Sequence, residues 1–245
     1  MKPLVTLALV FMLFLTGCVR YDVGINFQDQ RHGEIIQNIN LAPQLTRLSQ
    51  KEVEQWIDSL KQKAENLQGR VQHLSPENIK VTIPFGNGKD LASKFNQLFH
   101  QRSQNQQNDS SDNLDLVNLD AQMSIKQLNL ILVERNLIDF KVDLRGLGVV
   151  SQEGNIILSS GSLFDLSLSI DNPIKTMVIQ DNSKSTQERN LLTWHLQPGQ
   201  INQLKVICWV PSQLGIGTLG IILLFFIGYY LKYKNIPGRA KSIPL

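Results

Sequence analysis

The sequence predicts an α+β fold: an antiparallel sheet with two helices on one face, in the order ββαβα then β-rich, plus one C-terminal transmembrane helix. Three observations predict it. Apolar residues alternate in several short stretches, recur at helical spacing in two longer ones, and fill one uncharged run near the C-terminus. The elements can be justified in chain order.

The chain opens with Lys2 and an apolar run at 4–15, too short to span a bilayer and suited to a secretory leader. Leu15-Thr16-Gly17-Cys18 ends it and resembles the bacterial lipobox, with no small-x-small cleavage pair nearby. That resemblance implies that 1–17 is a lipoprotein signal peptide and that Cys18 is the lipidation site, carrying palmitate-type acyl chains as the mature N-terminus. Two or more chains anchor stably where one does not.

Residues 18–210 then read as the extracytoplasmic body. Tyr21, Val23, Ile25 and Phe27 alternate with polar residues, and Ile35, Gln37, Ile39 and Leu41 suggest a partner strand across the turn at 29–33. Ser49 and Glu52 form a capping box, after which Val53, Trp56, Ile57, Leu60, Ala64 and Leu67 mark a helix that Gly69 closes. A strand through Ile79, Val81 and Ile83 reaches the turn Pro84-Phe85-Gly86. A second helix over 90–99 follows, with Leu91, Phe95, Leu98 and Phe99 on one face.

Residues 101–113, QRSQNQQNDSSDN, hold no apolar side chain and predict a mobile loop. Beyond it, a strand at 123–133 is expected to pair through Glu134-Arg135-Asn136 with one at 137–144. Further strands are expected through Phe164, Leu166, Leu168 and Ile170, over 191–196, and over 203–210. Whether 19–100 and 114–210 make one sheet or two stays open.

The uncharged run after Lys205 is divided by Pro211 and ends at Lys232. About 20 residues at ~1.5 Å rise cover a ~30 Å hydrocarbon core, so 212–231 predicts one membrane span. Tyr229, Tyr230 and Tyr233 stand where an aromatic belt is expected. The tail at 232–245 carries Lys232, Lys234, Arg239 and Lys241 and no acid, which predicts a cytoplasmic C-terminus and an outward-facing body.

Charge bears on partners. Residues 19–210 hold 19 Lys and Arg against 21 Asp and Glu, so the basic pI comes from leader and tail and makes no case for nucleic acid. With Cys18 acylated, Cys208 is the lone thiol of the body, in phase with Leu204, Val206 and Val210 on an inner strand face.

The search for chemistry predicts no catalytic residue, no metal site and no cofactor. His32, His73, His100 and His195 lack metal spacing, and no HExxH or GxSxG occurs. Gly215-Ile216-Gly217-Thr218-Leu219-Gly220 fits GxGxxG but lies inside the span, where close helix approach is the better reading. Asp139, Lys141 and Asp143 read as a solvated strand face, and Trp194 and His195 as core and surface neighbours.

Several phrases resemble an uncharacterised family of cyanobacterial and plastid membrane proteins, a domain of unknown function. They are Tyr21-Asp22-Val23-Gly24-Ile25, His32-Gly33-Glu34-Ile35, Ile83-Pro84-Phe85, Lys94-Phe95-Asn96, Asp143-Leu144-Arg145, Trp194-His195-Leu196-Gln197-Pro198-Gly199-Gln200-Ile201-Asn202 and Trp209-Val210-Pro211-Ser212. The resemblance implies membrane location and architecture and brings no activity. Gly17-Cys18-Val19-Arg20 running into an alternating strand is similar, more loosely, to a mycobacterial lipoprotein family with a C-terminal span, which is associated with handling membrane lipids.

The functional expectation is a non-enzymatic lipoprotein whose body is an interaction or assembly module at the membrane surface. A lipid or apolar-ligand binding module is the alternative. The first needs an exposed patch, the second an apolar cavity. The partners expected are the bilayer and either a membrane protein complex or a lipid ligand.

Overall fold

In the computed structural model the described residues are 19–43, 50–99, 120–145, 148–150, 156–159 and 164–233. The leader, Cys18, Ser49 of the expected capping box, the loop at 101–113 and the tail from 234 onward lie outside them, as does the side chain of Glu52.

The alternation at the start of the body folds as a hairpin of β1 (Val19–Phe27) and β2 (Gly33–Asn40), registered Ile25 to Ile35 and Tyr21 to Ile39. The first helix, α1 (Gln50–Asn66), buries Val53, Trp56, Leu60 and Ala64. Its end is closed by Gln68 and Gly69 together. Gln68 takes the left-handed conformation at φ 62° and its N–H bonds Glu65 O, while the Gly69 N–H bonds Ala64 O at 2.7 Å. Glycine is needed at 69 for a different reason, since a Cβ there would lie 2.7 Å from the Thr82 carbonyl oxygen.

Strands β3 (Arg70–His73) and β4 (Asn78–Phe85) lead to α2 (Gly88–Phe99), which begins two residues before the expected start at Asp90. The remaining strands are β5 (Asp120–Leu130), β6 (Val133–Asp143), β7 (Gly148–Val150), β8 (Ile156–Ser159), β9 (Phe164–Asp171), β10 (Lys175–Asp181), β11 (Lys184–Glu188), β12 (Leu191–His195) and β13 (Ile201–Pro211). The chain ends its described part in α3 (Gln213–Tyr233).

Two main sheets form. One has seven strands in the order β11-β12-β9-β1-β2-β4-β3, the other four in the order β10-β13-β6-β5, and β7 and β8 pair as a small ribbon. Both halves of the chain contribute to the larger sheet, because β9 lies beside β1 with Val23 facing Leu168 and Ile25 facing Ile170. That pair is parallel, so the sheet is antiparallel everywhere except at this seam. Helices and inner sheet faces share one core. Within it, Phe95 of α2 meets Phe140 of β6 edge-on at 5.6 Å between ring centres.

The four-stranded sheet leaves β5 as an edge, and α2 covers it. Asn96 accepts from Met123 N–H at 2.7 Å and donates to Met123 O at 2.9 Å, so one side-chain amide replaces a missing neighbour strand.

One expected turn is misplaced. Glu134, Arg135 and Asn136 belong to β6, and the chain reverses at Ile131 and Leu132, two apolar residues. Alternation turns Glu134 and Asn136 inward, where they are 3% and 1% exposed, into a polar socket described below.

The phrase at 194–202 joins β12 to β13. Trp194 is fully buried and His195 exposed, as expected, and Gly199 takes φ 84° in the turn. Asn202, also fully buried, accepts from Gln197 N–H and from Ser183 Oγ, each at 2.8 Å. Leu144 and the turn exchange backbone bonds, Leu144 N–H to Gln200 O and Gly199 N–H to Leu144 O. These residues tie the sheets together.

Cys208 is fully buried, and burial pushes its thiol up to about 12 while the Thr176 hydroxyl, 3.8 Å away, opposes the shift. The thiol is the neutral form, so the folded protein holds its proton longer than the unfolded chain. Stability therefore falls as pH rises from the ordinary thiol range toward 12. Full-length protein treated with maleimide at pH 8 should react at position 208 only after denaturant is added; prompt labelling of the native form would contradict this burial.

Candidate membrane-facing interface

The base of the domain is built where the β1–β2 turn, the β5–β6 tip and the start of α3 meet. Ser212, 6% exposed, is the N-cap of α3: its Oγ accepts from Gly215 N–H at 3.3 Å and its carbonyl from Ile216 N–H at 3.0 Å. The same residue is held by the body. Its N–H donates to Leu132 O at 2.9 Å, and its hydroxyl donates to Gln30 Oε1 at 2.9 Å.

Gln30 passes the connection inward, since its amide nitrogen donates to Asn129 Oδ1 at 2.9 Å and to Glu134 Oε2 at 3.0 Å. The other Glu134 oxygen accepts from Gln127 at 2.7 Å and from Asn136 at 3.0 Å. A buried carboxylate is thus held by three side-chain amides. Gly88, the first residue of α2, closes the socket, where an added Cβ would lie 2.9 Å from Asn136 Oδ1.

A second contact fastens the rim: Gln213 donates to Asp29 Oδ2 at 2.8 Å. Asp29 also accepts from Arg31 N–H at 2.7 Å and from His32 Nδ1 at 2.8 Å. Burial works against its charge, yet the Arg31 amide and His32 hold the carboxyl below its ordinary range. Its contribution is present above that range and lost as pH falls through it.

Glu134→Ala should leave the buried Asn136 amide without its acceptor and cost about 2 kcal/mol, and Glu134→Gln a smaller amount because one oxygen still accepts. Thermal melts of full-length protein in detergent check this. An unchanged midpoint for Glu134→Ala would mean that water fills the socket without loss.

Of the GxGxxG glycines, Gly215 has a packing role: a Cβ on it would overlap the Ile131 carbonyl oxygen and lie 2.7 Å from the carbon behind it. Gly217 and Gly220 have nothing within 4 Å of an added Cβ. The close approach is therefore between helix and hairpin tip. Beyond it, α3 is exposed along its length, 21 residues that include an 18-residue window of mean hydropathy 2.1, long and apolar enough to cross a membrane.

A cavity of about 20 Å³ lies among Val23, Phe95, Phe140, Leu166 and Leu196, room for roughly one water. Among the described residues no group of three or more His, Cys, Asp or Glu could hold a metal. Asp139, on the face expected to be solvated, pairs with Lys205 at 3.6 Å, and Asp143 with Arg145 at 2.6 Å. Cys18, the expected lipidation site, is outside the described residues.

Sequence reasoning missed the socket because its members, Gln30, Gln127, Glu134 and Asn136, are separated in the chain and ordinary in type. The one available signal was the polar inward phase of Glu134 and Asn136 in a strand whose other inward residues are Ile138, Phe140 and Val142.

Fold and base together define an α+β domain hydrogen-bonded at its base to a helix long and apolar enough to cross a membrane. Residues 23–235 match a family model described as a protein of unknown function, DUF3153, and the chain belongs to that family. No curated protein matches the chain. Among solved structures, it is similar to the NMR structure of the folded domain of Mycobacterium tuberculosis LppM. That match has 10% identity and a TM-score of 0.42, and covers 82% of this chain and 95% of that one.

Proposed function

We propose that this protein is a membrane-anchored, non-enzymatic lipoprotein whose outward-facing domain is an interaction or assembly module held in a set pose at the bilayer. The observation that carries the reading is the Ser212–Gln30–Glu134 chain of hydrogen bonds, which joins the cap of the membrane helix to the buried base of the domain. A domain meant only to be localised needs no such joint; a flexible linker would serve. The basic residues after α3 support a cytoplasmic C-terminus and an outward body.

Acylation of Cys18 adds a constraint. Position 18 directly precedes Val19 at one end of β1, while Asp29 and Gln30, at the other end, touch α3. At ~3.3 Å per residue β1 is about 27 Å long. Acylation therefore ties the far end of β1 back to the leaflet that α3 enters and limits how far the domain can tip away from the bilayer.

The alternative, carriage of a lipid or other apolar ligand, needs a pocket of ~300 Å³ or more, and the cavity among Val23, Phe95, Phe140, Leu166 and Leu196, at about 20 Å³, does not supply it. Native mass spectrometry on full-length protein decides between them. The assembly reading expects lipids that strip progressively with collision energy. One lipid of defined mass, retained after all others leave, would overturn it in favour of carriage.

A further inference from the structure

We infer that the outer face of the four-stranded sheet, over its last three cross-strand rows and the β5–β6 tip, is a second bilayer-binding surface that docks on anionic phospholipid. The inference deepens the proposed function and rests on α3 spanning the membrane.

The face changes character along its length. In the rows far from α3 it is polar: Gln203, Lys141 and Gln122 lie side by side, then Gln180, Lys205, Asp139 and Ser124. Nearer α3 the outward row is Met177, Ile207, Leu137 and Lys126, in which Ile207 of the central strand is covered by its neighbours to 8% exposed, and the next is Lys175, Trp209, Arg135 and Leu128. The last is Pro211, Val133 and Leu130. A bulge between Val178 and Gln180 falls at the change. The charges in these three rows are all positive, Lys126, Lys175 and Arg135, because the acid of this strand end, Glu134, points inward.

Continuity with α3 fixes the occupant. Pro211 directly precedes the cap Ser212, and the tip is bonded to that cap through Leu132 O, so rows and tip lie at the level where the helix enters lipid. Ile131 is 82% exposed there, Leu128 53% and Met177 46%. Successive rows are about 7 Å apart, so the last two fill an interfacial zone of ~5–10 Å. Apolar residues with a partly exposed Trp at that depth, flanked by long cations that reach phosphate, are what an anionic interface binds.

The test uses full-length protein in vesicles of phosphatidylcholine, with or without phosphatidylglycerol, with bromine on the upper acyl chain. Emission that depends on Trp209 is the difference between wild type and Trp209→Phe, since Trp56 and Trp194 are buried. Expected is bromolipid quenching of that component at least twofold above the remaining emission. Protection from acrylamide should grow with phosphatidylglycerol and lose that growth in the triple variant Lys126→Gln, Arg135→Gln, Lys175→Gln.

Absence of bromolipid quenching while α3 resists carbonate extraction overturns this inference and leaves the proposed function standing. Protection of Trp209 in native membranes but not in vesicles would assign the face to a protein and likewise overturn it. Release of the chain by carbonate overturns both.

Discussion

Gly215→Ala frees the domain from its membrane helix. In an ordinary helix interior this change stabilises by about 1 kcal/mol, because alanine loses less backbone entropy. Here the sign reverses. The new methyl would occupy the position of the Ile131 carbonyl oxygen, which is backbone in a two-residue turn and has no rotamer to yield. Either the tip or the helix must move, and both hold Ser212, whose N–H bonds Leu132 O. The expected result is loss of the tip–helix contact with the domain core intact: protease cutting near 131–132 rises at least tenfold and the melting midpoint changes little. Gly217→Ala and Gly220→Ala are the controls, with open space around each added Cβ, and should leave cutting unchanged. Equal behaviour of all three variants would remove Gly215 from the account.

The second large effect is on stability. Asn96→Ala leaves the N–H and the carbonyl of Met123, a residue 2% exposed, without the two bonds that α2 supplies. Each stranded buried group costs roughly 1–3 kcal/mol, so a loss of about 2–4 kcal/mol is expected. For a chain of this size that lowers the melting midpoint by about 5–15 °C. Asn96→Asp separates the two bonds, since a carboxylate still accepts from Met123 N–H but faces Met123 O as a second acceptor. It should be no better than alanine. A melt of Asn96→Asp equal to wild type would show that the donated bond contributes nothing.

What could be read from the chain was whatever a half-buried pattern records locally. β1, β2, β4, β9 and α1 alternate or cycle cleanly because one face is core, and the burial of Cys208 and Trp194 followed from phase alone. β11, with all five residues exposed, and β10, with one buried, leave no such trace and were missed. The β5–β6 turn was misread for a physical reason: turns at a water-facing end are polar, and this one is Ile131-Leu132, with neither residue in the left-handed region. Glu134-Arg135-Asn136 took its place in the reading because inward polar residues in a strand look like loop. The parallel seam of β1 with β9 depends on contacts about 145 residues apart and has no local signature. The socket is of the same kind, as Gln30 and Ser212 meet across 182 positions.

The central claim is that the domain sits on its membrane helix in one pose. It is tested most directly by the distance distribution between two nitroxides in full-length protein in lipid nanodiscs, one at Gln203→Cys on β13 and one at Ile222→Cys in α3. Acylation leaves no free thiol at Cys18, and buried Cys208 stays unlabelled. A single narrow distance that broadens on Gly215→Ala is the predicted result. A broad distribution in the chain that retains Gly215 would contradict the account, leaving a localised domain on a flexible stalk.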